Sequence, residues 1–296
     1  MPGAPLIFDR ELLRVRQARA RKLGPVTFLA EQVAQDLVER LRAVLRTFPI
    51  TLDLGTPGHA LQRALAHEAG IGRLVSVQAS AGEAECAVVA DEEMLPFADA
   101  SIDLAVSVLA LHTVNDLPGT LVQVCRALKP DGLFLAALLG GDTLTELRQS
   151  FALAEAELEG GVSPHVAPFA DVRELGALLQ RAGFALPVAD VDRVTVRYSS
   201  VFSLMHDLRG MGATNVLLER RRQPLRRATL LRMAQLYVEK FADPDGKLRA
   251  TFDIVWLSGW VPHASQQQPL RPGSARTRLA DALGVVELPA GDKTGR

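Results

Sequence analysis

The chain has 296 residues, of which 48% are hydrophobic and 23% are charged, and its formal net charge is −1. This apolar fraction is enough for one large folded domain or two small ones, and it argues against a disordered chain. The near-neutral charge argues against a protein whose main task is to bind nucleic acid, and the two cysteines argue against a disulfide framework or a cysteine-rich zinc module.

The distribution of apolar residues along the chain predicts no membrane span. No apolar run reaches the ~20 residues that a helix needs to cross a bilayer. The N-terminal residues also lack an apolar segment ahead of a cleavage site, so we expect no secretory signal. We therefore expect a cytoplasmic protein, or one of the mitochondrial matrix if the source is eukaryotic.

Apolar runs that end at loop residues predict parallel strands in the first half of the chain. Strands alternating with helices at this spacing form βαβ units, so we predict a doubly wound α/β sheet over about residues 40–140. The predicted strands are 50–55, 74–77, 87–90, 102–109 and 133–139, with helices at 58–69 and 117–128.

The second half of the chain is predicted to be mostly helical, with two late strands of alternating polarity. Those strands should pair antiparallel at the edge of the sheet, and the helices between them should cover the strands' carboxyl ends as a lid. The predicted helices are 143–159, 172–182, 201–211 and 225–241, and the late strands are 188–196 and 251–257. The resulting divisions are an N-terminal helical segment at 1–40, a cofactor half at 41–142, a substrate and lid half at 143–265 and a flexible tail at 266–296.

The loop after the first strand is a candidate cofactor site, because ligands of open α/β sheets bind at the strands' carboxyl ends. It follows Asp53 and contains Gly55 and Gly58, which let the backbone approach a nucleotide-like ligand. Pro57 has no N–H, so an ordinary strand-to-helix turn fits this loop equally well. The second strand ends at the neutral Gln78, where an acid normally binds a ribose.

The third and fourth strands end at polar residues that suit the same ligand. Asp91 and Glu92 offer carboxylates to the amine of an adenine, with Met94 or Leu95 against the ring; a solvated acidic turn is the alternative. Leu109 ends the fourth strand, and His112 after it is either a proton carrier or a hydrogen-bonding loop residue.

The loop after the fifth strand is a candidate substrate site. Gly141 leaves space there, and Asp142, Arg148 and, from a later loop, His165 are predicted to line it. Asp142 and Glu146 also match a helix-capping pattern, which is the structural alternative. The catalytic candidates are therefore His112, Asp142, Glu146 and His165; we find no spacing typical of a metal site or a serine nucleophile.

Three segments look like blocks of a known enzyme superfamily: ADEEMLPF (90–97), LALHTVNDLP (109–118) and RALKPDGLF (126–134). With them, the chain resembles the class I S-adenosylmethionine (SAM)-dependent methyltransferases. The segments GGDTLTELR (140–148) and GMGATN (210–215) narrow the resemblance to the methyltransferase-like assembly factor of respiratory complex I and its bacterial relatives.

The resemblance implies a Rossmann-like, seven-stranded fold with a mostly parallel sheet, an antiparallel edge strand and a helical lid. It also implies SAM as the cofactor and a protein substrate such as a respiratory complex subunit, because the mitochondrial family member is associated with arginine hydroxylation. The chain departs from the family pattern in three places: LDLGTPGHA stands for LDLGCGxG, Gln78 for the ribose acid and Thr113 for a tryptophan.

Three functions remain open on the sequence. The first is SAM-dependent methylation of a protein side chain or small acid, which positioning of the acceptor mainly accelerates. The second is SAM-linked arginine hydroxylation. The third is a non-catalytic binding or assembly role in a chain that has lost SAM, which the altered first loop and the missing acid motivate.

Overall fold

The computed structural model describes residues 6–79, 87–267, 274 and 279–285. The chain divides into a unit that ends at Pro262 and a second unit that begins at His263. The second unit contains a short helix, Leu279–Leu283, within the described residues. Most of the predicted tail at 266–296 lies outside the described residues.

Seven strands form one mixed sheet among the described residues, in the order β3-β2-β1-β4-β5-β7-β6. The strands β1 to β5 pair in parallel, and β7 pairs antiparallel with both β5 and β6. This confirms the predicted mostly parallel sheet with an antiparallel edge. The bounds are β1 Phe48–Leu54, β2 Ile71–Gln78, β3 Ala87–Val89, β4 Ile102–Val108, β5 Leu128–Gly140, β6 Ala185–Tyr198 and β7 Leu248–Trp260.

Helices cover both faces of this sheet, so its central strands β1, β4, β5 and β7 are mostly buried, whereas the edge strand β6 is largely half-buried or exposed. The first helix begins at an N-cap, Asp9, which accepts a hydrogen bond from the backbone N–H of Leu12. No helix of the described residues is both long and apolar enough to cross a membrane. The bounds are α1 Arg10–Leu23, α2 Phe28–Arg42, α3 Ala60–Leu65, α4 Leu117–Ala127, α5 Thr145–Glu159, α6 Val172–Arg181, α7 Val201–Gly210 and α8 Arg227–Phe241.

The two cores differ in the helices that build them. One face of the sheet is covered by α2, α5, α7 and α8, whose buried residues include Leu37, Phe151 and Tyr237. The other face is covered by α4 and α6, through Leu121 and Leu179. The helix after the first loop, α3, is shorter than the predicted 58–69.

The start of α5 corrects one interpretation of the sequence. Leu144 occupies the N-cap position in a left-handed conformation, with φ 54° and no side-chain cap. The Glu146 carboxylate instead accepts hydrogen bonds from the backbone N–H of Thr251, at 3.2 Å, and from its hydroxyl. The capping pattern is therefore wrong, because β7 runs beside the helix start and offers buried donors that local sequence does not reveal.

Candidate functional site

A cavity of about 1160 Å³ opens at the carboxyl ends of β1, β2 and β4. It exceeds the roughly 300–1,000 Å³ of ordinary small-molecule sites, so it has room for two ligands. Its walls also include parts of α1, α2, α5 and α7. Seven of the sequence-predicted site residues line it: Gly55, Gly58, Gln78, Glu92, Leu109, His112 and His165.

The first loop uses its two glycines differently. Gly55 has φ 73°, and a Cβ built on it would lie 2.7 Å from Oε1 of Glu92. Gly58 has φ 68°, but a Cβ there would meet nothing within 4 Å. Both positions need left-handed backbone, which favours glycine. Only at Gly55 does the missing side chain also make room for an acid beside the loop.

Asp53 lies at the base of this loop rather than on the cavity wall. Its side chain is buried and accepts a hydrogen bond from the Ser76 hydroxyl at 3.3 Å. Burial raises the pKa of Asp53 to about 6, and hydrogen bonds from Thr56 and Ser76 only partly oppose that rise. Its Oδ1 has no hydrogen-bond partner, so few contacts offset the free-energy cost of burying a charge on this carboxyl group.

The acids at the end of β3 are held by the N-terminal helix. Arg10 forms ion pairs with Asp91, at 3.0 Å, and with Glu92, while Arg14 pairs with Asp91. Burial opposes ionisation of Asp91, but a backbone hydrogen bond and both arginines hold its pKa below the usual range. Met94 is 75% exposed and does not line the cavity.

Arg10 and Arg14 were not among the site residues predicted from the sequence. Their i, i+4 spacing places them on one face of α1, which is the signal that was available. What the spacing does not reveal is that this face meets the end of β3, about 80 residues along the chain.

Two residues after β4 face the cavity in unusual states. Leu109 has φ 50°, a left-handed conformation that costs free energy in a residue with a side chain. His112 lies in a short 3₁₀ helix, with its ring centroid 5.9 Å from that of Phe169. Burial lowers the pKa of His112 to about 4, so its ring is neutral at pH 7, and Nδ1 is buried without a partner.

The cavity is also lined by a second histidine, whose Nε2 atom is held by a buried carboxylate. His165 Nε2 lies 2.8 Å from Oε1 of Glu155, and the ring stacks on Phe151 at 3.9 Å between centroids. Ser163 donates its backbone N–H and its hydroxyl to the same carboxylate. Burial works against the charge on Glu155, but these donors lower its pKa overall. An ionised Glu155 therefore fixes the orientation of the His165 ring.

The remaining predicted substrate residues lie outside the cavity wall. The Asp142 carboxylate pairs with Arg193, at 2.8 Å, and Arg193 also pairs with Asp253 of β7. Arg148 donates to the backbone carbonyl of Thr143 at 3.2 Å. Gly141 borders the same group, because a Cβ on it would lie 3.0 Å from the Asp253 carboxylate. Their role in substrate binding stays a prediction.

Comparison with known proteins agrees with this geometry. A family described as a methyltransferase domain matches residues 52–136, which span β1 to β5. The mitochondrial arginine-hydroxylase NDUFAF5 of Homo sapiens is 42% identical over 302 residues, covering 97% of this chain and 87% of the relative. The chain belongs to the NDUFAF5 arginine-hydroxylase family.

Two further relatives place the family within a wider group. The malonyl-[acyl-carrier protein] O-methyltransferase of Gallionella capsiferriformans is 31% identical over 275 residues, covering 86% of this chain and 92% of the relative. The YcgJ protein from Bacillus subtilis superposes with a TM-score of 0.53 at 15% identity, over 79% of this chain and 100% of that chain. The family is therefore part of the class I SAM-dependent methyltransferase superfamily, and the chain is a methyltransferase-like enzyme whose fold implies SAM binding.

Proposed function

We propose that this protein binds SAM at the ends of β1 to β4 and transfers its methyl group to a protein side chain or a small acid. The observation that carries the proposal is the continuity of the cavity, which joins the strand-end loops to a second region under α5 and α7. A cofactor and an acceptor bound there meet within one continuous space. SAM supplies a methyl group on a positively charged sulfur, and the protein's main task is to align the acceptor with it.

The residues present fit this cofactor, provided that the ribose contact comes from Glu92 rather than from an acid at the end of β2. Gly55 and Gly58 let the backbone approach the ligand, and Gln78 offers one neutral hydrogen bond at the end of β2. Glu92 lines the cavity beside Gly55, so its carboxylate is near enough to take the ribose contact that β2 lacks. Asp91 does not line the cavity and pairs with Arg10 and Arg14, so we assign it to holding Arg10, which positions Glu92, rather than to the adenine amine.

The other cavity residues orient the acceptor and exclude water. His112 is neutral at pH 7, so we assign it a hydrogen bond to a ligand rather than a proton-carrying role. His165, fixed by Glu155, offers a second hydrogen bond. The aromatic rings of Phe151 and Phe169 cover these histidines and keep the site dry.

A titration of the purified chain with SAM tests the cofactor assignment. Binding to the folded state alone should raise its stability by about 2.7 kcal/mol when SAM is at 100 times its Kd. Calorimetry and thermal unfolding measure this directly. The absence of any shift at millimolar SAM would contradict the proposal and favour a binding or assembly protein that has lost the cofactor.

Arginine hydroxylation is the second candidate, and the 42% identity to the human hydroxylase favours it. Its protein substrate would be a respiratory complex subunit. A guanidinium group needs a carboxylate, and Asp142 and Glu146 are both engaged outside the cavity wall. Mass spectrometry of a candidate subunit separates the reactions, because methylation adds a methyl group and hydroxylation adds one oxygen atom.

The domain assignment follows from the same site. We propose a cofactor half at 41–142 and a substrate half at 143–265, in a protein of the cytoplasm or, in a eukaryote, of the mitochondrial matrix. The N-terminal segment at 1–40 belongs to this site, since Phe8, Leu13 and Leu29 line the cavity. Of the helices predicted as a lid, α7 contributes Met205 and Leu208 to the wall.

A further inference from the structure

The N-terminal segment forms part of the cavity wall. We call residues 7–23 the N-terminal strap; they comprise a short non-helical stretch followed by helix α1. The side chains of Phe8, Leu13 and Ala20 line the cavity. A ligand that fills the cavity therefore contacts the strap as well as the strand-end loops.

One side of the strap is held by Asn115, which follows β4. Its side-chain Oδ1 accepts hydrogen bonds from the backbone N–H groups of Ile7 and Phe8, both at 2.8 Å, and its Nδ2 donates to the Phe8 carbonyl at 3.1 Å. An asparagine suits this task because its amide carries both an acceptor and a donor. One side chain thus satisfies three backbone groups of residues that lie 107 and 108 positions away in the sequence.

The other side of the strap pairs with the segment after α7. The Asp9 N–H donates to the Val216 carbonyl at 2.8 Å, and the Leu218 N–H donates to the Ile7 carbonyl at 2.9 Å. Arg220 adds an ion pair with Asp9 at 3.2 Å. The strap therefore joins the strand-end wall of the cavity to the wall formed by the segment after α7.

Little apolar surface holds the strap in place. Phe8 and Leu13 pack with Val216 and Leu217 in a small cluster that is separate from both cores of the sheet. The hydrogen bonds that Asn115 makes to the strap lie at partly buried or exposed positions. Segments with few buried apolar contacts open at a smaller free-energy cost than the whole fold. The strap is therefore able to detach while the sheet stays folded.

The strap also carries the arginine that positions a cofactor residue. Arg10 forms an ion pair with Glu92, to which we assign the ribose contact, and donates to the Thr113 carbonyl at 3.2 Å. Opening of the strap takes Arg10 away from Glu92. The open and closed forms then differ in the support given to Glu92 and in the wall that a ligand contacts, so they differ in affinity for SAM.

We propose that the N-terminal strap opens to admit SAM and closes over it, and that Asn115 is the positioning residue that holds it closed. The inference rests on the proposed function, because SAM is the ligand that the strap covers. Linkage then requires a reciprocal effect: SAM stabilises the closed strap by the same factor by which the closed strap tightens SAM binding.

Removal of the Asn115 side chain tests its role. Asn115→Ala leaves three backbone groups of the strap without their partner, so SAM binding should weaken about tenfold and the strap amides should exchange hydrogen faster. Asn115→Asp keeps an acceptor for the two N–H groups and should retain part of the affinity. The control Gln32→Ala removes an amide side chain from an exposed position of α2 that does not line the cavity. Native SAM affinity or native strap exchange in Asn115→Ala would overturn the proposal.

A disulfide across the strap tests whether opening is required, without relying on Asn115. Phe8 and Leu217 form an antiparallel bridge with hydrogen bonds on both sides, a pairing in which the two Cα atoms lie about 4.5 Å apart. That separation suits a disulfide. The variant Phe8→Cys, Leu217→Cys, with Cys86 and Cys125 replaced by alanine, should bind SAM about tenfold more slowly when oxidised than when reduced. The cysteine-free parent, treated alike, is the control. Equal association rates of the oxidised and reduced forms would overturn the proposal.

Hydrogen exchange of the full chain locates the coupling. SAM should slow exchange of the strap amides at Ile7, Phe8 and Asp9 and leave those of α6, which lies outside the cavity wall, unchanged. SAM binding that leaves the strap amides unaffected would refute this inference alone. A native chain that binds no SAM would refute the proposed function and this inference together.

Discussion

Two buried carboxyl groups behind the wall of the cavity have opposite charge preferences. Asp53, below the first loop, and Glu155, behind His165, are each 2% exposed. Burial raises the pKa of Asp53 to about 6. Burial acts on Glu155 as well, but hydrogen bonds from His165 and Ser163 lower its pKa. Burial alone therefore does not decide the charge of a carboxyl group; the donors that reach it do.

The difference has a consequence for the stability of the protein. The Glu155 carboxylate accepts hydrogen bonds from His165 and Ser163 and lies 3.9 Å from Arg221. These partners compensate its buried charge. Asp53 keeps an oxygen without a partner. The protein should therefore lose stability when Glu155 is removed, whereas it should gain stability when the charge on Asp53 is removed.

The largest expected effect is at Glu155. Glu155→Ala should lower the free energy of unfolding by about 4 kcal/mol, since it leaves buried donors and a histidine without their acceptor. Urea unfolding at pH 7 measures this. Glu157→Ala, two residues along the same helix and exposed, is the control and should change little. Similar losses of unfolding free energy in both variants would contradict the stabilising role of the buried Glu155 contacts.

The first loop supplies the next largest effect. Gly55→Ala should cost about 3 kcal/mol of stability, from left-handed strain and from contact with Glu92. Gly58→Ala is matched in backbone strain but meets no neighbour, so it should cost about 1 kcal/mol. Thermal unfolding of the two variants gives the difference, and equal losses would contradict the account of Glu92 beside Gly55.

The charge on Asp53 predicts a pH dependence of a definite sign. Because the folded pKa, about 6, lies above the ordinary value of 3.8 for an aspartate, this group makes the native chain less stable as pH rises from about 4 to 7. Asp53→Asn removes that dependence, so it should be more stable than the native chain by about 3 kcal/mol at pH 7.5. The gap should close near pH 4.

Glu155 predicts the opposite slope. Its pKa is lowered on folding, so its contribution is present above the unfolded value of about 4.5 and is lost as pH falls through the folded value. Unfolding curves of Glu155→Gln and Asp53→Asn, measured from pH 3.5 to 8, should therefore diverge from the native chain in opposite directions. Parallel slopes would remove the contrast between the two acids.

The smallest expected effect concerns the ribose contact that we assign to Glu92. Glu92→Gln should weaken SAM binding about tenfold, or roughly 1.4 kcal/mol, because a charge-assisted hydrogen bond becomes neutral. Adding Gln78→Glu should restore much of that affinity by supplying an acid at the end of β2. Glu219→Gln, on an exposed loop, is the control. An unchanged affinity of Glu92→Gln for SAM would contradict the assignment of the ribose contact to Glu92.

Local pattern was a good guide to the sheet and a poor one to side-chain partners. The apolar runs predicted the five parallel strands and alternating polarity predicted the two late ones, because a strand buried on both faces needs continuous apolar residues and one that is half-buried does not. The strand-end rule also brought Gly55, Gln78, Glu92 and Leu109 to one cavity. The capping pattern predicted the wrong partner for Glu146, because its carboxylate accepts a hydrogen bond from Thr251 of β7 instead.

The sequence by itself determined the alternation of strands and helices, the seven-stranded mixed sheet and the loops that face a ligand, because hydrophobic periodicity and turn residues act over a few positions. Tertiary structure alone decided which charges meet. Arg10 pairs with Asp91 and Glu92, which lie more than 80 residues away in the sequence. Arg193 pairs with both Asp142 and Asp253. Such contacts depend on how elements pack, and no local pattern encodes that packing.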